Sequence, residues 1–185
     1  MRNCYRVLAA TLAILALVLL GPSPSTPVAD GIPLPVRMAA QTSVLTGYLS
    51  DNIKITKVQD HTTAGTSTIS ATGVDMANYT GVVFLTSYGT AASDNTCHLE
   101  QSTDDVTYDD LASTEAGVAS SDEDVFLDIR NPRERYVRMA CLRGTSSTLE
   151  SVWAFQYGGR SLPADNTTAG TIHGETHNSP AEGSK

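Results

Sequence analysis

The chain of 185 residues is poor in the features that announce most functions. Positive charge is scarce: 12 lysines and arginines face 20 aspartates and glutamates, for a net charge of −8. That balance argues against a protein that coats nucleic acid, because such binding is driven mainly by phosphate neutralisation. Aromatic residues make up 6% of the chain, with one tryptophan, so few rings are left for stacking on sugars. C-x-x-C, G-x-S-x-G and the phosphate-cradling P-loop are all missing, which removes finger-type zinc, serine-hydrolase and P-loop chemistry. Amphipathic helices of ordinary length are missing too. No enzymatic activity, cofactor, metal, nucleic-acid partner or small-molecule substrate is therefore expected.

Long apolar runs are also rare. The main one, from Val7 to Leu20, has 14 residues and is short for a membrane span of about 20. Arg2 and Arg6 precede it and "GPSPS" follows, which is the layout of a secretory signal peptide. Ser23 and Ser25 offer small residues before a cut, although A-x-A is absent, and no cysteine follows the run to receive a lipid. A second reading has equal weight. Met38 opens "MAAQTSVLTGYLSDNIKI", a natural start that would make the preceding 37 residues an over-extended reading frame. On either reading the proline-rich "GPSPSTPVADGIPLP" marks a boundary, so residues 1–37 are set outside the fold. Membrane contact is expected only if this segment is real and stays uncleaved.

What is present, from residue 38 to 158, is strand and turn. "TCHLEQS" alternates, with Cys97 and Leu99 on one face and His98 and Glu100 on the other. "DVFLDI" repeats the pattern with Val125, Leu127 and Ile129, and "YVRMACL" buries Val137, Met139 and Cys141 while Arg138 points out. "LESVWAFQYG" turns Val152, Ala154 and Gln156 one way and Ser151, Trp153 and Phe155 the other. In "NIKITKV", Ile53, Ile55 and Val58 are placed roughly on one side. Such segments, separated by Gly, Asp and Ser, predict an all-β chain: one antiparallel β-sandwich or jelly-roll-like domain with extended N- and C-terminal segments. Cys97 and Cys141 either form one disulfide or serve as small core thiols, the latter being the commoner fate of isolated cysteines. Residues 159–185 lose apolar periodicity and form an arm, either disordered or docked on a neighbouring subunit.

Charge is distributed unevenly. Residues 94–128 hold eleven acidic side chains and no lysine or arginine, and five arginines (Arg130, Arg133, Arg135, Arg138, Arg143) follow within fourteen residues. An acidic block beside a basic one suits cross-strand pairing or contacts between subunits, since opposite charges on facing positions attract. "NPRER" carries turn chemistry, which places Arg133 and Arg135 near a loop that leads into "YVRMACL".

The succession "NIKITKV", "AGTSTISATGVDMANYTGVVFLTSYGT", "LDIRNPRERYVRMACLRGT", "SVWAFQYGGR" and "HNSPAEG" resembles a family of small structural proteins of tailed bacteriophages and prophages. The likeness covers about residues 50–183 and is carried by "P-R-x-R-Y-V-R", "S-P-A-E-G" and the order of the elements, with no catalytic signature. The hydrophobic N-terminus departs from the family's pattern. The resemblance implies a non-enzymatic virion component, a capsid decoration or cement protein or another head-associated part, that contacts capsid or neck proteins and forms homo-oligomers. Subunit contacts are then expected at Arg133, Arg135 and Arg138 and along the arm, at His173, Glu175, His177 and Glu182. The rival expectation, favoured if residues 1–25 are a genuine signal peptide, is a secreted bacterial adhesion or glycan-binding module, with Trp153, Tyr108 and Tyr157 as its platforms.

Other motifs fail on spacing. "HGETH" sets His173 and His177 four apart, but its glutamate is not next to the first histidine and the flanks disfavour a helix, so it is not a zincin site. "STDDVTYDD" and "SSDEDVFLD" gather carboxylates at turns without the D-x-D-x-D-G spacing of a calcium loop. His61 and His98 are read as solvated histidines.

Overall fold

A computed structural model describes residues 47–92, 94–167, 170–179 and 181–183; the expectations for residues 1–37 lie outside them. One helical turn, α1 (Leu49–Asn52), leads into β1 (Ile53–Gln59), β2 (Thr62–Gly65), β3 (Ile69–Ser70) and β4 (Val74–Asp75). The longer strands β5 (Gly81–Tyr88) and β6 (Asn95–Ser102) follow, then the short β7 (Asp109–Asp110) and β8 (Ala116–Val118). The series ends with β9 (Glu123–Arg130), β10 (Tyr136–Leu142), β11 (Ser147–Leu149) and β12 (Val152–Tyr157). Among the described residues no helix is long and apolar enough to cross a membrane.

The chain is an all-β antiparallel sandwich. One sheet runs β1-β12-β5-β9, and the other runs β3-β10-β6-β7 with β4 on β10 and β8 on β6; β2 and β11 pair separately. The long strands β5, β6, β9, β10 and β12 alternate between the two sheets, so each connection crosses the core. Period-2 sequence dictates what fills it. Val82, Phe84 and Tyr88 of β5, Val125 of β9 and Val152 and Ala154 of β12 meet Leu99 of β6 and Val137 and Met139 of β10. Burying one such aliphatic or phenyl side chain contributes about 1.5–3 kcal/mol. The Tyr88 hydroxyl donates to the Leu142 carbonyl at 2.8 Å, and its pKa is pushed up to about 12, chiefly by burial.

The face assignments read from β6, β9, β10 and β12 hold, including the buried Gln156, whose amide donates to the Asp75 carbonyl at 2.8 Å. Val58 is a correction. Ile53, Ile55 and Lys57 share one face of β1, whereas Val58 has the opposite parity and is buried. Cys97 and Cys141 lie directly opposite each other in the β6–β10 register, both fully buried, and are joined as a disulfide. The commoner fate of isolated cysteines thus does not apply here. Both strands turn their odd-numbered residues inward, and the register brings the two thiols face to face.

The first part of the arm is placed within the chain: residues 164–166 lie along α1 and the β1 edge. Asn166 acts as a one-residue strand: its Oδ1 accepts from the Ile55 amide at 2.7 Å, and its Nδ2 donates to the Ser50 and Ile53 carbonyls. The Ala164 amide donates to the Asp51 carbonyl and the Lys54 ammonium to that of Asp165. Edge backbone groups that would otherwise invite another strand are thereby satisfied.

Candidate functional site

The arginine-rich stretch resolves into separate roles. Arg135 donates from Nε and Nη2 to the two oxygens of Asp75, at 3.0 and 2.6 Å, across the β4–β10 pair. Those hydrogen bonds hold the Asp75 carboxyl below its ordinary value of 3.8. A depressed pKa adds stability above that value and loses it as pH falls through the folded-state pKa. Asp75→Asn should therefore destabilise the domain near neutrality and lose its effect in acid. Urea midpoints of wild type and variant, compared at about pH 6 and about pH 2, should converge at the lower pH. A constant gap would show that the carboxyl is not held by charge.

Arg138 pairs with Glu100, which stands directly opposite it on β6. In this pair the acidic and basic blocks meet across strands, one of the two arrangements that the charge pattern suits. The Arg138 guanidinium also lies over the Tyr108 ring, 3.8 Å from its centroid. Arg143 is buried and donates to three backbone carbonyls. Of the three arginines expected at subunit contacts, Arg135 and Arg138 are engaged within their own chain. Arg133 is exposed, makes no ion pair among the described residues, and lines an open cleft with Arg160, Tyr79 and Asn131. The arm candidates His173, Glu175, His177 and Glu182 are all exposed; His177 pairs with Glu175 at 3.1 Å.

The acidic turns spend their carboxylates locally. Asp104 accepts from the Val106 and Thr107 amides, both at 2.9 Å, which lowers its pKa, and Asp105 accepts from the Tyr108 hydroxyl. His61 pairs with Glu150 at 3.1 Å. His98 is not a freely solvated histidine. Its side chain is only 19% exposed and its Nε2 faces Glu100 and Asp110 at 3.5 and 3.3 Å. The signal was present in the alternation, which put His98 and Glu100 on one outward face. The third member, on β7, was not visible locally.

The outer face of the four-stranded sheet carries a second constellation. Lys57, Trp153, Leu85 and Phe126 stand in one cross-strand row, and Ile55, Phe155, Val83 and Asp128 in the next. Phe126 is 68% exposed and Leu85 38%, so the face leaves apolar surface in water. Tyr157 closes one end: its ring crosses Gly81, where a Cβ would lie 2.3 Å from Cζ, and its hydroxyl donates to Asp128 at 2.8 Å. Burial and that bond push its pKa up to about 12. Charge is split across the face. Lys57 sits on the β1 edge, paired with Asp60, while Asp124 and Asp128 flank Phe126 on the β9 edge.

No protein-family model matches the chain. No curated protein matches it either.

Proposed function

We propose that this chain is a non-enzymatic structural protein of a phage particle, a capsid decoration or other head-associated component that works through contacts between subunits. The observation that carries the reading is the apolar outer face of the four-stranded sheet, with Lys57 at one edge and Asp124 and Asp128 at the other. Its occupant is a second copy of the chain. A two-fold axis parallel to the strands lays β1 of one copy over β9 of the other, so Lys57 meets the Asp124–Phe126–Asp128 edge twice. A patch of this kind is self-complementary, as an isologous interface requires. Such contacts would serve a decoration role, since surface buried between subunits opposes outward pressure on a shell.

The test has two parts. Light scattering during gel filtration should find wild-type oligomers, whereas Phe126→Glu, which adds a third carboxylate between Asp124 and Asp128, should run as a monomer with an unchanged melt. A monomeric wild type, or a variant that associates normally, would remove this interface. Mass spectrometry of gradient-purified particles should then recover the chain with a peptide that starts at Met38 or Ala39.

The alternative is a secreted bacterial adhesion or glycan-binding module. The Cys97–Cys141 bridge favours an oxidising compartment, a condition that extracellular proteins and virion surfaces share. Trp153 and Tyr157 lie on the same sheet face and offer a platform, whereas Tyr108 is covered by Arg138. A mature N-terminus near Thr26, found only in particle-free supernatant, would select this reading.

A further inference from the structure

We infer that His98, Glu100 and Asp110 form a binding site for one divalent transition-metal ion of the zinc class, on the outer face of the six-stranded sheet. This inference neither requires nor follows from the assembly reading. His98 and Glu100 are two apart on β6 and so share a face; Asp110 on β7 stands opposite Glu100 in the register. One ligand atom from each lies within 4.8 Å of the other two.

The spacing favours a metal ion over a proton. His98 Nε2 is 3.5 Å from Glu100 Oε1 and 3.3 Å from Asp110 Oδ1. Charge-assisted N–H···O bonds are shorter, about 2.7–2.9 Å. Ligand atoms that share an ion at about 2.0–2.2 Å are instead held roughly 3–3.5 Å apart at tetrahedral or octahedral angles. An imidazole nitrogen and two carboxylate oxygens that converge at these separations leave room for one ion between them.

The surroundings supply what ligands need. Glu100 offers Oε1 to the site while Arg138 holds Oε2, and Arg138 is itself stacked on Tyr108. An outer partner of this kind fixes the direction of a ligating carboxylate. The single charge of Arg138 is outweighed by those of Glu100 and Asp110. His98 and Glu100 are largely sheltered, whereas Asp110 is 77% exposed, so the remaining coordination positions open to water. An imidazole with two carboxylates is a borderline N/O donor set, which suits zinc, cobalt, nickel or manganese better than calcium.

The experiment is calorimetric titration of Zn²⁺ into chelator-treated full-length protein carrying Cys4→Ser, so that no free thiol competes. One zinc per chain with micromolar half-saturation is expected. His98→Ala and Asp110→Asn should each weaken binding by at least about tenfold, since even outer partners of metal ligands are worth that much. His177→Ala, which alters the exposed arm, should leave it unchanged. Because a variant can fail for lack of folding, zinc-induced shifts of the His98 ring resonances in the parent protein provide the second readout. Absence of binding, binding retained in a folded His98→Ala protein, or a silent His98 ring would each overturn the inference.

Discussion

Reducing the Cys97–Cys141 bridge should cost the domain about 4 kcal/mol, given the loop-closure entropy of a 44-residue separation. The bond lies inside the core and directly across the β6–β10 pair, so it ties the two central strands of the six-stranded sheet. Its removal leaves two thiols that still fill the space, so the loss falls mainly on the restriction of the unfolded chain. Unfolding followed by circular dichroism, with and without reductant, should show a fall in melting temperature of about 15 °C. Thiol titration of the full 185-residue chain in denaturant without reductant should find only Cys4 reactive, and none in a chain that starts at Met38. Identical melts, or three reactive thiols, would mean that the bridge does not form. The result also bears on biology, because a domain this dependent on oxidation reaches full stability only outside a reducing cytosol.

Replacing Arg143 should be almost as damaging, although it stands in the same basic stretch as the exposed Arg133. Arg143 Nε donates to the Ser67 carbonyl at 2.8 Å, and Nη1 to those of Thr63 and Ser147 at 2.7 and 3.3 Å. It thereby ties the β2–β11 pair to the end of β10. Gly65 admits the guanidinium, since a Cβ there would sit 2.8 Å from Nη2. Arg143→Ala leaves the buried Ser147 carbonyl and the part-buried carbonyls of Thr63 and Ser67 without this donor, a loss of about 3 kcal/mol. Arg143→Lys should recover little, because one ammonium cannot replace a planar fork of donors. Chemical denaturation of both variants measures this directly. A loss near zero would mean that water replaces the guanidinium and that the site is not closed. Arg133→Ala, by contrast, should leave the midpoint where it is.

Strand alternation, turn chemistry and the absence of helical periodicity are local properties, and the sequence alone determined from them that this is an antiparallel β domain. It also determined which side chains of β6, β9, β10 and β12 point inward, because parity along one strand needs no knowledge of its neighbour. The charge blocks suited pairs of acid and arginine across strands as well as contacts between subunits. Tertiary structure decided the rest, because register between strands some forty residues apart is not written in either strand. Register set Cys97 against Cys141, Arg138 against Glu100, and Asp110 beside the pair formed by His98 and Glu100. It also sorted the five arginines, which share one charge and one stretch of chain, into a buried tie (Arg143), two intrachain pairs (Arg135 and Arg138) and two exposed cations without an ion pair among the described residues (Arg130 and Arg133). Residues 164–166 followed the same rule: their polar composition left their place open, and the edge of β1 took them up within the chain.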